Sequence, residues 1–204
     1  MNFQGTAKRL DDVDLPNVGK LIGVGEDEIH AVLDTEAAGT GFDVSGRPRM
    51  LFEPHIFYRI LARSGAPGAL AKAINAGLAC KRWGAKPYPK DSYPRLLQAM
   101  AIDENAALQS ASWGLGQVMG FNAPMAGYAT AKGMVEAFMA DEENQLRGMI
   151  QFIITNKLGD ALHRHAWAEF AYGYNGAGFA KNGYDKKLAA RFAAWQKIKD
   201  TPTS

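Results

Sequence analysis

Ile29-His-Ala-Val-Leu-Asp-Thr-Glu36-Ala-Ala-Gly-Thr-Gly-Phe-Asp43-Val-Ser-Gly-Arg-Pro-Arg-Met-Leu-Phe-Glu53-Pro-His55 is the stretch on which the reading of this chain turns. Ile29, Val32 and Leu33 fall at i, i+3, i+4 and predict an apolar stripe on one face of a helix. The next slot on that stripe is Glu36, so a carboxylate stands where the pattern asks for an aliphatic. Gly39 then ends the helix, as glycine does past a last turn. A carboxyl at the end of an apolar face is partly desolvated, which disfavours its charged form and suits a general acid. The competing reading is a last-turn glutamate exposed to water, and periodicity alone does not separate the two.

The residues that follow favour the acid. Gly39 to Asp43 and Val44 to Arg47 are turn chemistry, and Arg49 to Glu53 reads as a short strand. A helix end followed at once by a small β-hairpin makes a lip that can hold a second polar group opposite Glu36. Asp43 is the nearest acidic candidate. Glycoside hydrolysis needs such a pair: an acid for the leaving oxygen, and a carboxylate that activates water or acts as nucleophile.

Outward from this stretch the pattern is helical. Residues 1–25 read as two short helices packed on a main domain of residues 26–204. Pro54 starts a helix, residues 69–80 are weakly helical, and Lys81 to Asp91 is a loop. Tyr93 to Ala101 is amphipathic. Asp103 or Asn105 caps a helix that reaches Ser112. Leu146, Met149, Ile150 and Ile153 mark a core helix within 134–156, followed by helices over 158–172 and 185–198. Strand signal is confined to the hairpin, so the expected fold is mainly α with one small β-hairpin beside a cleft.

Composition removes several classes. A net charge of +2 over 204 residues is no electrostatic footprint for nucleic acid. Cys80 is the one cysteine, which excludes an intrachain disulfide and a cysteine-based metal site. His163 and His165, two apart, point to different helix faces, and no metal or other cofactor is expected. The N-terminus has no apolar run, so the expectation is synthesis in the cytoplasm without a signal peptide. No apolar stretch is long enough to span a membrane.

Two further segments carry chemistry. In Ser112-Trp-Gly-Leu-Gly-Gln117-Val-Met-Gly-Phe121, glycines beside an indole let backbone approach a ligand, and Gln117 offers a donor and an acceptor. The alternative is a turn between helices with Trp113 in the core. In Ala171-Tyr-Gly-Tyr174-Asn175-Gly-Ala-Gly178, Tyr174 and Asn175 are the polar groups at a tightly packed helix end. The alternative is a glycine C-cap with a core tyrosine.

The order Glu-x-x-Gly, Ser-Trp-Gly-Leu-Gly-Gln, Tyr-Asn-Gly-Ala-Gly resembles the three signatures of goose-type lysozymes and lytic transglycosylases. Residues 26–195 are more closely similar to the phage endolysin N-acetylmuramidases of that lysozyme-like class. Their hairpin motif, Gly-Arg-Pro-(basic)-x-Leu-Phe-Glu-x-His, is matched by Gly46-Arg-Pro-Arg-Met-Leu-Phe-Glu53-Pro-His55. The resemblance implies a lysozyme-like helical domain whose catalytic acid is Glu36. It places Gln117 in the glycan groove, and Tyr174 and Asn175 beside the acid. Ala37 stands where a serine usually follows the glutamate, and Ser45 where relatives often carry an acid. The second catalytic group is therefore either Asp43 or a water held by Ser45, with Glu53 and Arg47 expected to brace the hairpin as an ion pair.

The implied activity is cleavage of the β-1,4 bond between N-acetylmuramic acid and N-acetylglucosamine by a monomeric endolysin, acting on the cell wall once the membrane is breached. The alternatives are a lytic transglycosylase, and a non-catalytic glycan-binding phage protein. The last helix carries Leu188, Phe192 and Trp195 as a stripe. From Lys181 to the end, six Lys or Arg against two Asp leave a local charge of +4. That basic face is either solvated surface or an attraction for anionic wall polymer and the outer-membrane surface.

Overall fold

Two hydrophobic cores lie side by side in the computed structural model, which describes residues 1–11, 14–37 and 39–198. One is built around Phe52, Phe57, Leu96, Trp113 and Phe138, the other around Ile29, Val32, Leu146, Ile153, Phe170 and Leu188. The described residues form twelve α-helices and one three-stranded sheet.

The pair of helices expected over residues 1–25 is one helix, α1 (Asp14–Lys20), preceded by an extended arm. The arm is held by a parallel bridge between Lys8 and Asp141. Its Phe3 is buried, with its ring centroid 5.0 Å from that of Tyr93 and 5.7 Å from that of Trp113. Phe3 adopts a left-handed φ of 59°. That costs about 1–2 kcal/mol, while burying a phenylalanine returns roughly 2–3 kcal/mol, so the aromatic sandwich prevails.

Helix α2 (Glu26–Ala37) follows, with three acids in its first turn against the positive end of the helix dipole. Ile29, Val32 and Leu33 are all buried. Gly39 reverses the chain with φ +73°. Strand β1 (Met50–Phe52) leads into α3 (Pro54–Arg63) and α4 (Pro67–Asn75), each opened by a proline whose missing N–H costs nothing there. Next come α5 (Tyr93–Met100) and α6 (Glu104–Gln109), the latter capped by Asp103, which accepts from the Ala106 N–H at 2.8 Å.

Here the expectation fails. The helix predicted to reach Ser112 stops at Gln109, and the glycine segment supplies two strands, β2 (Ala111–Trp113) and β3 (Val118–Met119). The sheet runs β1-β2-β3, antiparallel throughout, with Leu51 opposite Ser112 and Ser112 opposite Met119. All three β2 residues are buried, which erases the alternation by which a strand is recognised.

Two predicted single helices are each split. Asp141 adopts an extended conformation between α7 (Ala131–Ala140) and α8 (Glu142–Thr155) and caps the second by accepting from the Asn144 N–H at 2.6 Å. A left-handed His165 separates α9 (Gly159–His163) from α10 (Trp167–Asn175). The chain continues as α11 (Phe179–Asn182) and α12 (Tyr184–Trp195). Leu188 and Phe192 of α12 are buried, and the helix packs along α2. The Trp195 indole stacks on His30 at 3.7 Å and donates to the Asp34 carboxylate at 2.9 Å. Lys199 lies outside the described residues.

Candidate active site

Glu36 owes its surroundings to three helices. The buried stripe of α2 sets its direction, the end of α10 brings Asn175, and α12 brings Lys187. The Asn175 Nδ2 donates to Glu36 Oε1 at 2.9 Å. Protein closes around the carboxyl although the side chain as a whole stays partly exposed. Burial raises its pKa to about 7, and this outweighs the hydrogen bond from Asn175 and the charge of Lys187, both of which pull it down. Asn175 Oδ1 is buried with no hydrogen-bond partner among the described residues, so its amide serves the glutamate through the nitrogen alone.

Tyr174 does not touch Glu36 through its hydroxyl. That hydroxyl donates to the Gly116 carbonyl at 2.7 Å and latches α10 to the turn between β2 and β3. Burial, with the nearby Glu36 charge adding to it, pushes the phenol well above its ordinary pKa and keeps it neutral.

Opposite Glu36 stands the lip. A cleft of about 720 Å³ runs between Asp34–Glu36 on one wall and the hairpin, Lys90 to Tyr93 and Gln117 on the other. Asp43 and Ser45 both line it. Asp43 Oδ1 accepts from the N–H groups of Ser45 at 2.8 Å and Arg47 at 3.0 Å, and Oδ2 accepts from Arg47 Nε at 2.8 Å. Burial alone would raise the Asp43 pKa, but these hydrogen bonds and the Arg47 charge together lower it. Ser45 is exposed, and its hydroxyl has no protein partner among the described residues. Gln117, at a left-handed φ of 45°, spends its carboxamide on the sheet. Its nitrogen donates to the Gly114 carbonyl at 2.9 Å, and its oxygen accepts from the Ser112 hydroxyl at 2.9 Å.

The expected Arg47–Glu53 brace is absent. Six residues of extended chain separate the two by ~20 Å, too far for a pair. Arg47 instead reaches Asp43 at 2.6 Å and Asp91 at 3.3 Å, and lies over the Tyr93 ring at 4.1 Å. Glu53 accepts from the Tyr88 hydroxyl at 2.5 Å and sits 3.1 Å from His55 Nδ1, tying the 81–91 loop to the start of α3.

Two supporting residues escaped the sequence reading. Glu142, 4% exposed, accepts from the Gly41 N–H at 2.7 Å, the Leu10 N–H at 3.0 Å and Arg9 at 2.7 Å, and so fixes the base of the lip to the N-terminal arm. Gln145, wholly buried, accepts from the Leu115 N–H and donates to the Phe138 carbonyl, both at 2.9 Å. The signal was there: both continue the stripe of Leu146, Met149 and Ile153 backward, polar residues in apolar slots as Glu36 is. Among the described residues no group of three His, Cys, Asp or Glu is placed to hold a metal ion.

The N-acetylmuramidase family model matches residues 26–196. Among solved structures, the crystal structure of the endolysin of Burkholderia phage AP3 is similar with a TM-score of 0.79 and 35% identity, over 94% of this chain and 73% of that one. A search of curated proteins finds no match. Matched over most of its length by the family model, and over nearly all of it by a solved endolysin, the chain belongs to the N-acetylmuramidase family of phage endolysins, glycosidases that act on peptidoglycan.

Proposed function

We propose that the protein hydrolyses the β-1,4 bond between N-acetylmuramic acid and N-acetylglucosamine, with Glu36 as the general acid. The observation that carries this is the Glu36 carboxyl, raised to about 7 by burial and lining a cleft of about 720 Å³. A group of that pKa is protonated often enough at neutral pH to donate, and acidic enough to give the proton up. Donation to the glycosidic oxygen breaks the bond to the anomeric carbon and leaves positive charge on the sugar ring. Asn175, donating to Glu36 Oε1, holds the carboxyl in place and favours the carboxylate left behind.

On the far wall Asp43 has both oxygens engaged, which makes it a poor base. Its charge still faces the cleft and stabilises the oxocarbenium-like state from a distance. The water that completes hydrolysis is held by the free Ser45 hydroxyl. The engagement of Asp43 also favours a second reading, a lytic transglycosylase, in which the sugar's own 6-hydroxyl replaces water. No described helix is long and apolar enough to cross a membrane. In our reading the enzyme is a monomer that reaches the wall from the cytoplasm after membrane disruption, and the basic face of α12 draws it to the anionic outer-membrane surface. Clearing of permeabilised Gram-negative cells tests the function. The native protein clears them and Glu36→Gln does not; equal clearing by both overturns the assignment.

A further inference from the structure

The cleft wall opposite Glu36 is unevenly balanced. Four carboxyls line the cleft, and each already has a partner. Asp34 accepts from Trp195, Glu36 from Asn175, Asp43 from Arg47, and Asp91 from Arg47 and the Tyr93 N–H. Arg47 is consumed by two of them. The other two cations of that wall, Arg49 and Lys90, are exposed, and their side chains make no ion pair or hydrogen bond among the described residues.

Their placement is built. Pro48 is buried, and its carbonyl accepts from the Tyr93 hydroxyl at 2.5 Å. In an extended segment the residues on either side of it point the same way, so Arg49 shares the cleft side with Arg47. The Arg47–Asp91 contact holds the end of the 81–91 loop against the hairpin and brings Lys90, beside Asp91, to the same wall. Arg49 is anchored through its backbone, its carbonyl accepting from the Gly114 N–H at 2.8 Å, which leaves its guanidinium to project. A guanidinium and an ammonium without counter-ions, lining the same cleft as the acid, match a carboxylate on the substrate.

We propose that Arg49 and Lys90 form a recognition site for the carboxylate borne by the side arm of the muramic acid residue, and so select acidic glycan over neutral glycan. This rests on the muramidase reading. The carboxylate has two chemical sources: the free lactyl group of a stripped strand, and the peptide stem of an intact one, in which the lactyl group is an amide.

The test uses three glycans that all contain muramic acid. One is stem-bearing, one is stripped by an amidase to free lactyl carboxylates, and one is stripped and then converted to the neutral methylamide. Cleavage is followed with the native protein, and binding is followed by calorimetry with Glu36→Gln. The expected result is a Kd about 5- to 20-fold lower for one carboxylate-bearing glycan than for the methylamide, shrinking as salt is raised. Preference for the stripped strand identifies the lactyl source; preference for the intact strand identifies the stem. Adding Arg49→Gln and Lys90→Gln brings the three affinities together, and Arg49→Lys with Lys90→Arg restores the preference. Equal binding of all three glycans at low salt, or a preference that survives the double replacement, overturns the proposal. Failure of the native protein to cleave any of them overturns the muramidase reading instead, and the binding preference still decides the carboxylate site.

Discussion

Replacing Glu36 by Gln should stabilise the protein while removing its activity, and the stabilisation should appear only as pH rises. The folded state holds this carboxyl at about 7 against an ordinary 4.5. A raised carboxyl binds its proton in the folded chain at pH values where the unfolded chain has lost it. Stability therefore falls as pH climbs from 4.5, and the fall is complete once pH passes 7. The full penalty is about 3 kcal/mol. Glutamine is neutral at every pH and of the same shape. Its oxygen can keep the bond from Asn175 Nδ2, and its amide nitrogen can donate to the unpartnered Asn175 Oδ1. Denaturant unfolding of both proteins at pH 4.5 and pH 8.5 measures this directly. Near pH 4.5 the two should differ little. By pH 8.5 the variant should be more stable by up to about 3 kcal/mol, which in a thermal melt corresponds to a midpoint roughly 6–12 °C higher in a chain of this size. A difference that does not change with pH, or a variant less stable at pH 8.5, would refute a desolvated Glu36.

Three other perturbations follow from the same contacts. Asn175→Ala removes a bond that lowers the Glu36 pKa, so the alkaline limb of the rate profile should move above 7 while the maximal rate falls; a limb that stays or moves down contradicts the pairing. Of Asp43→Asn and Ser45→Ala, one should reduce turnover clearly more than the other, marking the charge- or water-stabilising side; full activity in both, with anhydro-ended products, moves the account to the transglycosylase. Lys186→Gln with Lys197→Gln, which spares Lys187 for its action on Glu36, should weaken binding to cell-wall sacculi or lipopolysaccharide at low salt only, and identical binding at all salt concentrations makes α12 purely structural.

What the sequence made legible was local. Glu36 stood out because it broke an apolar stripe, and Gly39 with the turn residues to Arg47 announced the lip. Long-range contacts were not legible. Glu36 and Asn175 are 139 residues apart, and the motif order suggested their meeting without dictating the hydrogen bond. Strands β2 and β3 were missed because burial on both faces left no alternation at Ala111, Ser112 and Trp113. The break at Asp141 was legible but overlooked, since five polar residues, Asp141 to Gln145, interrupt the apolar pattern there and Asp141 is a capping residue; the one at His165 was hidden because its left-handed φ of 54° carries no glycine to mark it. Arg47 was assigned the wrong partner for a related reason: Asp91 comes from a loop that the hairpin meets only in the folded chain.

The central claim, that Glu36 protonates a glycosidic oxygen for attack by water, is tested most directly by the products. Purified peptidoglycan digested in ¹⁸O-water and resolved by mass spectrometry should yield fragments ending in reducing N-acetylmuramic acid, each carrying one ¹⁸O at the anomeric position. The same digest with Glu36→Gln should yield almost none, a loss on the order of 10²–10⁴. Reducing N-acetylglucosamine ends, unlabelled 1,6-anhydro ends, or undiminished release by the variant would contradict it.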